Sequence, residues 1–171
     1  MKISQAKLIL SLALSIFLLN ACAGNKTANT NSFAPTADSK TGVVANDDIG
    51  ELGKIIKLPV VPEEATYSEI NLNNENSATN KKKLVAVLKF SVEDANQIVA
   101  QAEKYNPPVP ADIDAENWFP PELVAKSQET GDDFLKGVAY AANDFLQTPF
   151  INGKLTRINE TNYFVLELSS L

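Results

Sequence analysis

Apolar residues along the chain fall into three regimes. Leu8 to Leu19 is a run of 12 residues broken only by Ser11 and Ser15. Ala23 to Lys54 is rich in Asn, Thr, Ser, Ala, Asp and Gly and nearly free of large apolar side chains. Beyond Thr66 the apolar positions recur with the periods of strands and helices. The middle regime buries too little surface to offset its ordering entropy. It predicts a tether of about 32 residues with an r.m.s. reach of roughly 30 Å. Ile55 to Ala65 holds Pro59 and Pro62, so it predicts extended chain with its apolar side chains against the domain. The expected division is a leader over 1–21, a tether over 22–62 and one domain over 63–171.

Within that domain, Thr66 to Leu72 carries a weak strand signal, followed by a polar loop that ends in Lys81, Lys82 and Lys83. The lysines suit a solvated strand end that discourages edge pairing. Leu84 to Phe90, "LVAVLKF", is β-branched and nearly continuous, which predicts a mostly buried strand. Ser91 then caps a helix in which Val92, Ala95, Ile98, Val99, Ala102 and Tyr105 share one face. Asn106 to Pro121 contains five prolines and predicts no regular structure. Pro121 opens a short helix, "ELVAKSQ" after it. Asp132 or Asp133 is placed to cap a further helix from Phe134 to Leu146. "GKLTRI" and "YFVLELSS" flank "NETN" as a hairpin. The order predicts a small α+β fold, an antiparallel sheet with helices packed on one face.

Charge and composition narrow the chemistry. The chain has 15 basic and 21 acidic residues, one cysteine and no histidine. Loss of Met1 to Ala21 would remove Lys2 and Lys7, shifting the formal net charge from −6 to −8. That balance repels nucleic acid and favours a basic partner. Without histidine there is no Ser-His-Asp or Cys-His arrangement and no His-ligated metal site. No motif calls for a cofactor.

Asp112, Asp114 and Glu116 have the alternate spacing that opens an EF-hand loop. The sixth position, however, is Asn117 rather than Gly, and the twelfth is Leu123 rather than Glu, so the acids read as a solvated loop. Gly153-Lys154 lacks the upstream glycine of a phosphate loop, because Thr148 stands there. No carboxylate pair is singled out by spacing as a catalytic acid and base. Trp118, beside Phe119, either staples its loop to the core or serves as a binding rim. On the helix expected there, Tyr140 falls near Lys136 and Asp144, opposite Phe134 and Phe145. It either covers a core edge or offers its ring to a partner. Asp112, Asp114, Glu116, Trp118 and Tyr140 are therefore the candidate partner-binding residues.

The first regime carries the most specific signal. Lys2 and Lys7 precede an apolar run too short to span a bilayer, which needs roughly 20 residues. Leu19-Asn20-Ala21-Cys22 follows it and resembles a bacterial lipobox, with Asn20 where a small or β-branched residue is usual. The resemblance implies cleavage before Cys22 and attachment of lipid to its thiol. Two or three acyl chains, at about 0.8 kcal/mol per buried methylene, hold a protein at a membrane. Ala23 rather than Asp implies an outer-membrane destination, facing the periplasm. The expectation is a lipid-anchored, non-enzymatic binding or scaffolding module. An inhibitor or immunity protein that masks a basic envelope hydrolase or toxin comes second, and an enzyme third. Cys22→Ser should abolish incorporation of a palmitate analogue and leave the precursor uncut after Ala21. Label retained on the Ser variant would refute the lipid assignment.

Overall fold

The computed structural model describes residues 44–72, 81–129, 131 and 133–170. Cys22 lies outside them. The elements run α1 (Ile49–Ile55), β1 (Glu64–Asn71), β2 (Lys82–Lys89), α2 (Val92–Ala102), β3 (Val109–Asp114), α3 (Pro121–Glu129), β4 (Phe134–Ala141), a 3-10 turn (Asn143–Phe145), β5 (Asn152–Ile158) and β6 (Tyr163–Ser169). The strands form one antiparallel sheet in the order β1-β2-β6-β5-β4-β3, so the fold is α+β.

Strand alternation divides the interior in two. Leu84, Ala86 and Leu88 of β2 and Phe164, Leu166 and Leu168 of β6 point to a first face. There they meet Leu52 and Ile56 from the α1 segment, Ala95 and Ile98 of α2, and Phe145 and Phe150. Val87, Tyr163 and Val165 point to the second face, against Phe119, Leu123 of α3, Ile113, Leu135 and Ile158. α1 and α2 thus share a face while α3 lies on the other, so the expected packing of the helices on one face holds only in part. On that second face an ion-pair row spans three strands. Glu167 takes Lys154 at 2.8 Å and Lys83 at 3.3 Å. Burial pushes the Glu167 carboxyl up, but the two lysines outweigh it and hold it below the ordinary range.

Local chemistry accounts for the elements. Ser91 Oγ accepts from Asp94 N at 3.1 Å and donates to Asp94 Oδ2 at 2.7 Å, a reciprocal cap at the start of α2. Pro121 occupies the first position of α3, where its missing N–H costs nothing. The expected hairpin forms between β5 and β6.

Three expectations are corrected. Phe134 to Ala141 is a strand, not a helix, and only Asn143–Phe145 is helical beyond it. Its burial alternates with a period of two: Leu135, Gly137 and Ala139 are buried and Phe134 and Lys136 exposed. Gly137 also sits so close to β5 that a Cβ would overlap the Arg157 carbonyl oxygen and the Thr156 methyl. Gly131 (φ 73°) and Asp133 (φ 57°) make the left-handed turn into β4, so Asp133 ends a turn rather than capping a helix. The proline-rich stretch contains β3, an edge strand, where Pro110 is tolerated. Finally, part of the expected tether is folded. Asp48 Oδ1 accepts from Glu51 N at 3.0 Å to cap α1, and Leu52 and Ile56 are fully buried.

Leu52→Ala should therefore lower unfolding stability by about 2–5 kcal/mol, as for other buried leucines. Urea denaturation measures it. An unchanged midpoint would return α1 to the tether.

Candidate functional site

The sheet is wider than the helices that cover its first face. α1 and α2 pack over β1, β2, β6 and the middle of β5, and α2 also reaches β4. Past Leu155 the same face carries Tyr140, Val138, Lys136 and Phe134 of β4, then Asp112 and Asp114 of β3. Cross-strand register sets Asp112 against Lys136, Asp114 against Phe134, and Arg157 against Val138. Asp112, Asp114 and Lys136 are exposed, Tyr140 and Val138 are half-buried, and Phe134 keeps 43% of its surface in solvent.

Arg157 closes the patch toward α2. Its Nη1 donates to Asn96 Oδ1 at 3.3 Å, Nη2 to Asn162 Oδ1 at 3.4 Å, and Nε to the Thr161 carbonyl at 3.3 Å. The guanidinium also lies 5.8 Å from the centre of the Phe164 ring. Beside it a cleft of about 280 Å³ is lined by Val138, Tyr140, Arg157 and the β5–β6 turn. Burial raises the Tyr140 hydroxyl above its ordinary pKa; Glu103 adds to the shift and Arg157 opposes it. The hydroxyl is therefore a neutral hydrogen-bonding group at pH 7.

The candidate residues are divided by the two faces. Asp112, Asp114 and Tyr140 share the open patch. Glu116 is exposed in the β3–α3 connection. Trp118 packs on the second core, its ring edge-on to Phe119 at 4.7 Å between centroids. It anchors the connection and does not share a rim with Tyr140. Among the described residues no group of three or more His, Cys, Asp or Glu could hold a metal ion. No described helix is long and apolar enough to cross a membrane.

A second polar cluster has no signal in the sequence pattern. The Tyr163 hydroxyl donates to Glu122 Oε1 at the start of α3. Lys89 Nζ pairs with Glu64 at 2.7 Å and lies 5.3 Å from the Tyr163 ring centre. Glu122 is held below the ordinary carboxylate range, first by the tyrosine bond and then by its own backbone N–H. Tyr163 is pushed up to about 12, first by burial and then by Glu122. Held protonated at neutral pH, this tyrosine is no base; the cluster clasps α3 to the sheet. Tyr163 and Glu122 lie 41 residues apart, beyond the reach of any local pattern.

Comparison with known proteins places no relative beside this arrangement: no family model, no curated protein and no solved structure matches the chain.

The clasp has a defined pH window. Glu122, with a lowered folded pKa, contributes stability above its unfolded pKa, and this is lost as pH falls through the folded value. Tyr163, with a raised one, contributes fully below about 10 and loses that contribution as pH rises through about 12. Ultraviolet titration should show the last of the four tyrosines ionising at about 12. Glu122→Gln should lower that late step while leaving it above 10, because burial persists. An unchanged step in the variant would show that Glu122 does not hold the hydroxyl.

Proposed function

We propose that this chain is a lipid-anchored envelope lipoprotein whose α+β domain is a non-enzymatic binding or scaffolding module for a basic envelope protein. The leader and Cys22 support the anchor and its periplasm-facing outer-membrane destination. The observation that carries the binding reading is the open β3–β4 patch, where Phe134 stands exposed against Asp114 on strands held rigidly in the sheet. Aromatic side chains ringed by charge make effective anchors, and side chains on strands are held more exactingly than those on loops. Charge complementarity would raise the association rate and select basic partners.

The position of the patch also suits an anchored protein. Asn46 pairs with Tyr67 on the outer edge of β1, through N–H···O bonds of 2.8 Å in each direction. β3 is the opposite edge of the six-stranded sheet, about 24 Å away at roughly 4.8 Å per strand. The binding surface is thus remote from the edge at which the chain enters the fold.

A photocrosslinking residue at Phe134 in the lipidated protein, irradiated in its own envelope, tests the reading. The expected result is one dominant adduct at Phe134 and none from the same group at Ile70 on β1. Neutralising Asp112, Asp114 and Glu116 together should weaken the adduct and flatten its salt dependence without shifting the melting temperature. Equal labelling from both positions would overturn the assignment of the surface. Loss of the captured protein's own activity on binding would favour the inhibitor reading over the scaffold.

A further inference from the structure

The backbone of β3 refines the proposed partner. Lys136 turns its carbonyl toward the β5 side, where Asn159 N–H donates to it at 3.0 Å. Its cross-strand neighbour Asp112 therefore sits in a non-hydrogen-bonded pair with it. On the other parity, Ala115 N–H donates to the Asp133 carbonyl at 3.1 Å. The backbone groups of Ala111 and Ile113 thus face β4, and those of Pro110, Asp112 and Asp114 face away from it. No described strand pairs with this edge.

We propose that β3 is a strand-addition edge that accepts an extended segment of a basic protein, with Lys or Arg at alternate positions and apolar residues between them. The proposal rests on the binding-module reading and names the partner's form. Two outward N–H groups and three outward carbonyls offer main-chain bonds, the source of affinity in strand addition. A residue directly opposite Asp112 or Asp114 places its side chain on the same face as the carboxylate, so a base at that position is paired. The intervening residue falls on the second face, beside Val109, which is 55% exposed, Ala111 and Ile113. Polarity therefore alternates along the edge, and the ligand must alternate to match it.

Charge decides against a second copy of the chain as the occupant. Antiparallel pairing of β3 with itself about a twofold axis would set Asp112 and Asp114 against the same acids of the other copy, and like charges opposite one another destabilise. Pro110 removes one donor from the edge and weakens self-pairing further. The same acids that repel a copy attract a base. Lys136 faces Asp112 across the strand pair, so the edge with Glu116 carries three acids against one lysine. The net field on this side favours a cationic segment.

An end-blocked, fluorescent hexapeptide alternating lysine and valine is the probe, titrated by anisotropy and mapped by amide chemical shifts on the full folded domain. It should bind, with the largest shifts at the amides of Asp112 and Asp114. Affinity should fall at least tenfold when the peptide's lysine backbone nitrogens are methylated. The same loss is expected for Asp112→Pro, which removes an outward N–H and no bond to β4. The double variant Asp112→Asn, Asp114→Asn should weaken binding and its salt dependence at an unchanged melting temperature. Equal binding of the methylated peptide, shifts centred on another surface, or no binding at millimolar peptide would each overturn the proposal. A partner crosslinked at Phe134 together with failed peptide pairing would keep the binding module and discard strand addition.

Discussion

β2 and β6 are buried on both faces, and the rest of the structure is arranged around that fact. Alternate residues of one strand must satisfy two different cores, so a shift of register by one residue would exchange them. Leu84, Ala86 and Leu88 fit the larger, aromatic-rich core, whereas Val85 and Val87 fit the smaller one under α3. β6 repeats the division with Phe164, Leu166 and Leu168 against Tyr163 and Val165. The row Lys83–Glu167–Lys154 reinforces the same register at the end of the second face that α3 leaves open.

The covering elements follow from this division, and so does what they leave uncovered. α1 is short and is fixed by Leu52 and Ile56; α2 lies by its small face, Ala95 and Ala102, close to the sheet. Together they span the first face from β1 as far as β4, which α2 reaches. α3, clasped by Glu122 and Tyr163, covers the second face as far as Ile113. β3 is consequently buried on one side only, and β4 offers Phe134, Lys136, Val138 and Tyr140 to solvent or partial cover. The proposed binding surface is the outer part of the sheet that its own helices cover least.

How much of this was legible in the sequence depended on whether local pattern and tertiary demand agreed. Ser91, Pro121, the β5–β6 turn and the apolar run of β2 are local signals, and each was read. β4 was misread because "FLKGVAYAANDFL" also fits a helical stripe; the decisive features were Gly137, disfavoured in a helix interior, and the alternation around it. β3 was obscured by Pro110 within it and the prolines around it; an edge strand tolerates a proline and a central one does not. α1 was hidden by polar neighbours, since Ile49, Leu52 and Ile56 make only one helical face in a long polar stretch. For the site, the alternate acids of β3 were visible as spacing, but their place on a sheet edge was not. Tyr140 was singled out on the wrong element, and of the two readings of Trp118 the packing matches the one in which it staples its loop to the core. The Glu122–Tyr163 clasp is a contact between distant segments and left no local trace.

The central claim is that β3 is a half-paired strand whose backbone alternates between the sheet and solvent. Amide hydrogen exchange under native conditions tests it residue by residue. The account predicts strong protection for Ala111 and Ile113, whose N–H groups bond to β4, and near-unprotected rates for Asp112 and Asp114, with the slowest amides in β2 and β6. Protection spread evenly along Ala111 to Asp114 would mean that the outer edge of β3 is already occupied, and would contradict the account.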